Sequence, residues 1–144
     1  MPWFVIANPK DRTVTPVKCD GVVEAQQLAG LGAVDHGVLY RGSDGNGVGY
    51  CIYEYAFFTP TSEQHYFSIA GVLMAGPVVF YAFDEAGETI DVRRSALPDI
   101  RWYLGVNDVE AAIHHEEIVR PTMSVNGVLL WEWPNQPPTG YGQH

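Results

Sequence analysis

The sequence predicts an α+β fold, in which a largely antiparallel sheet and two to four short helices form a single domain. Short β-rich runs outnumber helical segments, tight turns join most of them, and strands do not alternate regularly with helices. The chain has 144 residues, of which 47% are hydrophobic. A chain of this length can bury roughly 68–70% of its unfolded surface around one core. We therefore expect one globular domain over residues 1–133 and a flexible tail over residues 134–144, which is rich in Pro, Gly and Gln.

The chain is predicted to begin with a β-hairpin and a short helix. Residues 3–6 and 13–17 are rich in β-branched and aromatic side chains, and residues 8–12 between them have the composition of a turn. Asp20 is placed to cap a helix over residues 22–28, and Gly30 and Gly32 are expected to end it.

The middle of the chain is predicted to contain a second pair of strands, over residues 34–40 and 50–58. The loop between them holds three glycines and Asn46, which tolerate positive φ. Residues 62–74 fit two structures. Tyr66, Ile69 and Leu73 stand at helical spacing, and Ser62 is placed to cap such a helix. The dense apolar run also fits an extended chain.

The C-terminal half is predicted to hold two hairpins and two helices. Residues 78–83 and 88–92 flank the turn Asp84-Glu85-Ala86-Gly87, and residues 123–125 and 128–131 flank Asn126-Gly127, the strongest two-residue hairpin signal. Between the hairpins we expect a helix over residues 98–104 with Pro98 in its first turn. A second helix is expected over residues 108–118, capped by Asn107.

Charge and composition restrict the function. The net charge of −9, from 17 acidic and 8 basic residues, disfavours direct binding to nucleic acid, which needs clustered Lys and Arg. No apolar run is long enough to span a membrane, and no secretory signal follows Met1, so we expect a cytoplasmic protein. Cys19 and Cys51 lie 32 residues apart without a CxxC spacing, and we expect two buried or half-buried thiols rather than a disulfide.

One candidate site is an NAD pocket. Tyr40-Arg41-Gly42 and Phe58-Thr59-Pro60-Thr61-Ser62 resemble the arginine strand and the serine-threonine strand of arginine-serine-glutamate ADP-ribosyltransferases, with Glu116 or Glu117 in place of the catalytic glutamate. The resemblance implies NAD as cofactor, Arg41 as a phosphate contact, Ser62 as the group that organises the ribose, and Glu117 as the group that stabilises the oxocarbenium-like transition state. The other interpretation, which we favour, is an aromatic hairpin whose side chains pack across the strand pair without a ligand.

A second candidate is a metal site on the predicted helix 108–118. Glu110, His114 and Glu117 stand at positions i, i+4 and i+7, which would place them along one helix face as part of a Zn²⁺ or Mn²⁺ shell. A solvated, charged helix face explains the same pattern and is the interpretation we prefer, so the primary prediction contains no metal and no cofactor.

A wider resemblance concerns the order of elements. Residues 14–17, 20–28, 75–80 and 84–89 resemble an uncharacterised family of small accessory proteins of phages and plasmids. The resemblance implies a mobile-element origin without an established catalytic residue. The leading prediction is thus a non-enzymatic acidic protein that binds a host protein, such as a basic nucleic-acid-binding factor or a defence factor. It would act in anti-defence or as a nucleic-acid mimic, either as a monomer or as a homodimer. The alternative is an NAD-dependent ADP-ribosyltransferase-like enzyme that uses Arg41, Ser62 and Glu117.

Overall fold

Two antiparallel sheets and two helices make up most of the computed structural model, which describes residues 1–93, 97–115, 117–118, 123–125 and 128–131. The elements in chain order are β1 (Trp3–Asn8), β2 (Thr13–Lys18), α1 (Val22–Leu28), β3 (Val34–Arg41), β4 (Gly47–Tyr53), a 3₁₀ turn (Ala56–Phe58), β5 (Tyr66–Ile69), β6 (Val72–Ala75), β7 (Val78–Phe83), β8 (Thr89–Ile90), β9 (Ile100–Trp102), α2 (Val106–His114), β10 (Met123–Val125) and β11 (Val128–Trp131). The predicted single α+β domain with a largely antiparallel sheet is confirmed.

The first sheet has the strand order β2-β1-β7-β4-β3, and the short strand β8 pairs with the end of β7. The central strand β7 shows the alternation expected when both faces of a sheet are covered. Val78 and Phe80 point into the larger core, whereas Val79 points into a smaller core on the opposite face. All three side chains are fully buried.

The larger core lies between the two sheets. The second sheet has the order β6-β5-β9 and contributes Phe67, Ile69 and Leu73, while α2 contributes Val109 and Ala112. Spacing of three residues between the two α2 side chains places them on the same helix face. The one buried polar side chain among the described residues, Ser68, shares a 2.9 Å hydrogen bond with the Tyr103 hydroxyl.

The smaller core lies under α1, on the outer face of the first sheet. Ala25 is the buried residue of this helix, and it packs with Phe4, Cys19, Cys51 and Val79. Because α1 has only seven residues, it covers only part of that face. The rest of the outer face is therefore not covered by α1.

Several predicted elements are confirmed by the structure. The opening hairpin forms with Trp3 paired to Lys18 and Asn8 paired to Thr13, the helix over residues 22–28 has the predicted bounds, and the strands over residues 78–83 and 89–90 form the predicted hairpin. Within residues 62–74, the segments 66–69 and 72–74 are extended, since β5 and β6 form a hairpin across Ala70 and Gly71, and residues 62–63 belong to a turn.

The predicted helix over residues 98–104 is wrong. Residues 100–102 form β9, which pairs with β5 through Phe67↔Trp102 and Ile69↔Ile100. Pro98 at the start of a short apolar segment suits a first helical turn, but it equally suits the beginning of a strand. Pairing with a strand about thirty residues away, together with burial against the core, decides the conformation.

Three predicted boundaries are also wrong. The strand expected over residues 50–58 ends at Tyr53, and residues 56–58 form a 3₁₀ turn. The helix expected over residues 108–118 runs from Val106 to His114 with Gly105 as its N-cap, so Asn107 lies inside it. Asp20 is not the cap of α1, because Gly21 holds that position. Instead, the backbone N–H of Asp20 donates to the Glu24 carboxylate at 2.8 Å.

The hairpin at residues 123–125 and 128–131 is present, with Val125 paired to Val128. The turn between its strands and the tail over residues 134–144 lie outside the described residues, as does Glu116. None of the helices in the described ranges is long and apolar enough to cross a bilayer.

Candidate functional site

Aromatic rings lie over glycines on the outer face of the first sheet. A Cβ atom at Gly47 would lie 2.5 Å from Cζ of Phe83, and one at Gly49 would lie 2.4 Å from Cζ of Tyr81. The Arg41 guanidinium lies 4.8 Å from the centre of the Phe83 ring, which is within cation–π range. The glycines of β4 therefore make room for the rings of β7, and these rings form a row on the outer face of the sheet.

The row ends at a group of polar side chains beside α1. His36 and Cys51 are directly opposite each other on β3 and β4, and the Cys51 Sγ lies 3.3 Å from the His36 Nδ1. The Gln26 amide of α1 donates to the same sulfur at 3.4 Å. The His36 ring also meets Tyr81 edge-on, with ring centres 6.4 Å apart.

A thiol beside an imidazole is the arrangement of a cysteine nucleophile, but burial argues against that role here. Cys51 has no exposed surface. Burial raises the pKa of the Cys51 thiol above its ordinary value, and the hydrogen bond from Gln26 lowers it by less. A protonated sulfur that no substrate can reach is a poor nucleophile. The contact is better explained as a cross-strand polar pair that satisfies the buried S–H.

Carboxylates gather at the end of the first sheet where two loops lie side by side. One loop joins β3 to β4, and the other joins β7 to β8. We call five carboxylates the acidic rim: Asp44 of the first loop, Asp84, Glu85 and Glu88 of the second loop, and Asp91, which directly follows β8 and lines a cavity together with Asp44. Gly45 of the first loop has φ +85°, and a Cβ atom there would lie 2.6 Å from Cβ of Glu85 in the second loop. The absence of a side chain at Gly45 is what allows the loops to approach so closely.

Hydrogen bonds to the backbone hold several carboxylates of the rim in place. Asp84 accepts the N–H groups of Ala86 and Glu88 at 3.0 and 2.9 Å and so shapes its own turn. Asp44 accepts from the Asn46 N–H at 2.9 Å, and Asp91 accepts from the Trp3 N–H at 3.0 Å. In the sequence, three arginines are near these carboxylates, Arg41, Arg93 and Arg94, so the five carboxylates of the rim outnumber them by two.

A cavity of about 290 Å³ lies beneath the rim. Its apolar lining includes Val48, Ala82 and Val92, which are buried, while Asp44 and Asp91 line its polar part. None of the described residues that line it is basic. A second cavity of about 250 Å³, at the opposite end of the sheet, is lined by both a lysine and a glutamate, so its charge is mixed.

The residues of the predicted NAD site lie in different parts of the fold. Arg41 ends β3 in the first sheet, and its guanidinium donates to the Gly45 carbonyl at 3.4 Å. Ser62 is exposed in the turn before β5. Glu117 lies beyond α2, where its carboxylate accepts a 3.2 Å hydrogen bond from Arg101 of β9 in the second sheet. The contacts of Arg41 and Glu117 thus involve separate sheets, and the NAD-dependent alternative stays a prediction.

The residues of the predicted metal site do not share one helix. Glu110 and His114 are exposed on α2, but that helix ends at His114, and Glu117 forms an ion pair with Arg101. Across the described residues, no three His, Cys, Asp or Glu side chains are close enough together to hold a metal ion. The premise that all three side chains lie along one helix face is therefore wrong.

Two features of the site were missed in the sequence. The sequence predicted that the strands over residues 34–40 and 50–58 are neighbours. It did not predict that His36 lies opposite Cys51, because that register depends on β4 beginning at Gly47 rather than at residue 50. Asp44 and Asp91 belong to segments that meet only because β4 and β8 both pair with β7. No local pattern signals that meeting.

Comparisons of the chain with protein-family models, with curated proteins and with solved structures gave no significant match. The resemblances to ADP-ribosyltransferases and to phage and plasmid accessory proteins accordingly stay predictions.

Proposed function

We propose that this chain is a non-enzymatic binding protein that recognises a basic surface of another protein through the acidic rim. The observation that carries the proposal is that two closely packed loops contribute four carboxylates to one end of the first sheet, where Asp91 adds a fifth. Four of the five, Asp44, Glu85, Glu88 and Asp91, are exposed and thus face a partner directly.

The rim has the electrostatic properties that such binding requires. A net charge of −9 attracts a basic partner over several ångströms, and a local cluster orients that partner as it approaches. Arg41 offsets part of this charge, because its guanidinium donates to the Gly45 carbonyl within the first loop, but a single cation does not balance five carboxylates. The attraction should weaken with salt, since the Debye length falls from about 8 Å at 0.15 M to about 3 Å at 1 M.

The resemblance to phage and plasmid accessory proteins suggests the biological setting. In this setting the partner is a host protein whose own ligand is a nucleic acid, because such proteins carry the basic surfaces that an acidic rim fits. Occupation of that surface would make the chain a nucleic-acid mimic with an anti-defence role.

Paired variants of equal charge test the role of the rim. Glu85→Gln with Glu88→Gln removes two charges from the rim, and Asp99→Asn with Glu110→Gln removes two exposed charges elsewhere. The wild-type protein and the control should capture the same host protein at low salt and release it at high salt. The rim variant should associate with the captured protein at least threefold more slowly in surface plasmon resonance, since steering contributes roughly 10- to 10³-fold to association rates.

Two results contradict the proposal. One is equal association rates for the rim variant and the control. The other is the recovery of no salt-sensitive partner by the wild-type protein from lysates of suitable hosts.

A further inference from the structure

The cavity beneath the acidic rim combines an apolar floor with a charged edge. Val48 and Val92 are 3% exposed, and Ala82 is 7% exposed. The volume of about 290 Å³ far exceeds the roughly 30 Å³ that a water molecule occupies in the liquid. The cavity can thus admit a whole side chain rather than only a few atoms.

Asp44 and Asp91 stand on this cavity with defined positions. Each accepts one backbone N–H through its Oδ1, from Asn46 and Trp3 respectively. An ionised carboxylate has about four lone-pair sites on its two oxygens, so one such bond leaves capacity for a further donor. The two backbone hydrogen bonds also restrict the carboxylates before a ligand arrives, which reduces the entropy cost of binding.

Only one class of side chain matches both parts of the cavity. Lysine and arginine place an aliphatic stem on apolar surface and direct a charged head toward polar groups. An acidic side chain would be repelled by Asp44 and Asp91, and a purely apolar side chain would leave them without a counter-charge. The second cavity, lined by Lys10 and Glu63, offers no such preference for one sign of charge.

We infer that this cavity is the specificity pocket of the proposed interface and receives one lysine or arginine side chain of the basic partner. The inference rests on the proposed function and extends it. The rim attracts the partner at long range, and the cavity selects a single cationic side chain at contact. A guanidinium presents five donors in a planar fork, whereas an ammonium is a compact point charge, so arginine should bind more tightly than lysine.

A nuclear magnetic resonance titration of the full chain tests the cavity. The probes are the N-acetyl methylamides of arginine, lysine and norleucine, of which the last has the same stem without the charge. The arginine and lysine probes should shift the backbone amides of Asn46, Val48 and Ala82 with millimolar dissociation constants, and the norleucine probe should bind at least tenfold more weakly. Equal binding of all three probes, or no saturable shift with any of them, overturns the inference.

Three variants that each replace one aspartate by the uncharged asparagine complete the test. Asp44→Asn and Asp91→Asn retain the Oδ1 acceptor for the backbone N–H, so both should fold, as the amide spectrum will verify. Each should weaken binding of the arginine probe about tenfold, whereas Asp99→Asn, which removes a charge outside the cavity, should leave the dissociation constant unchanged. If the two cavity variants bind the probe as the wild-type protein does, the inference is wrong.

The two proposals can fail separately. If Glu85→Gln with Glu88→Gln slows association with the captured partner but Asp44→Asn and Asp91→Asn leave its dissociation rate unchanged, the rim binds the partner and the cavity does not. If the arginine probe binds the cavity but no basic protein is captured, the cavity takes a free cationic molecule, and the proposed function is wrong together with the partner side chain inferred from it.

Discussion

Replacement of Gly49 by alanine tests how aromatic rings pack over glycines in the first sheet. Gly49 lies within β4, and a Cβ atom there would be 2.4 Å from Cζ and 2.5 Å from the hydroxyl oxygen of Tyr81. Carbon atoms in favourable contact are about 3.5–4.0 Å apart. The ring must therefore move by roughly 1 Å or leave its place over the strand.

The expected loss of stability follows from two opposing terms. Overpacking of this kind costs about 1–3 kcal/mol. Alanine also restricts the unfolded chain more than glycine does, which favours the folded state by about 0.4–1 kcal/mol. We expect a net loss of about 1–2 kcal/mol in the free energy of unfolding. At roughly 4 °C per kcal/mol for a domain of this size, Tm should fall by about 4–8 °C.

Urea denaturation followed by circular dichroism measures the effect, with Gly32→Ala as the control because no atom lies within 4 Å of its added Cβ. Gly47→Ala should cost more than Gly49→Ala. Its added Cβ would lie 2.7 Å from the backbone carbonyl oxygen of Tyr40, which cannot rotate away as a side chain can. In a Tyr81→Ala background, Gly49→Ala should lose its cost, since the clashing ring is gone. Equal stability of Gly49→Ala and Gly32→Ala would refute the reasoning.

Three further predictions concern stability. Ala70 has φ +51°, so Ala70→Asn should raise the free energy of unfolding by about 1 kcal/mol in urea titrations; an unchanged midpoint would contradict this. Tyr103→Phe removes the buried hydrogen bond to Ser68 and should cost about 1 kcal/mol, and Ser68→Ala should add little in the double variant. Burial raises the pKa values of Cys51 and Tyr66, so the stabilising contribution of each is complete well below its unfolded pKa, about 8.5 for the thiol and about 10 for the phenol, and is lost as the pH rises through that value. Urea midpoints at pH 7, 9 and 10.5 should therefore fall in that order, and Cys51→Ser should reduce the fall.

The elements that were predicted correctly from the sequence are those with local signals, such as turn residues or a glycine that ends a helix. The first hairpin and the hairpin around Gly87 follow from turn residues between β-rich runs, and α1 follows from the stop at Gly30. In the β5–β6 hairpin the same kind of turn has Ala70 where Asn is usual, so both central residues have positive φ without the usual signal. Because the usual turn signal is absent, the sequence did not decide between helix and strand for residues 62–74.

Elements that depend on distant partners were not predictable in the same way. Residues 100–102 form a strand because β5 offers them hydrogen bonds and the core accepts Ile100 and Trp102. The candidate site is of this second kind. Asp44 and Asp91 are 47 positions apart in the chain, and they line one cavity only through the pairing of β4 and β8 with β7. The sequence supported an acidic binding surface in general, but it could not locate one.

The charges of the acidic rim are not accounted for by the folding of its loops. The turn after β7 needs Asp84, whose carboxylate accepts two backbone N–H groups, and Gly87, whose φ is +84°. Positions 85 and 88 tolerate most polar residues in such a turn, yet both are glutamates. Neighbouring like charges destabilise the compact state by repulsion. Stability alone would therefore favour neutral side chains there, whereas the proposed recognition of a cationic surface would give these two glutamates a function.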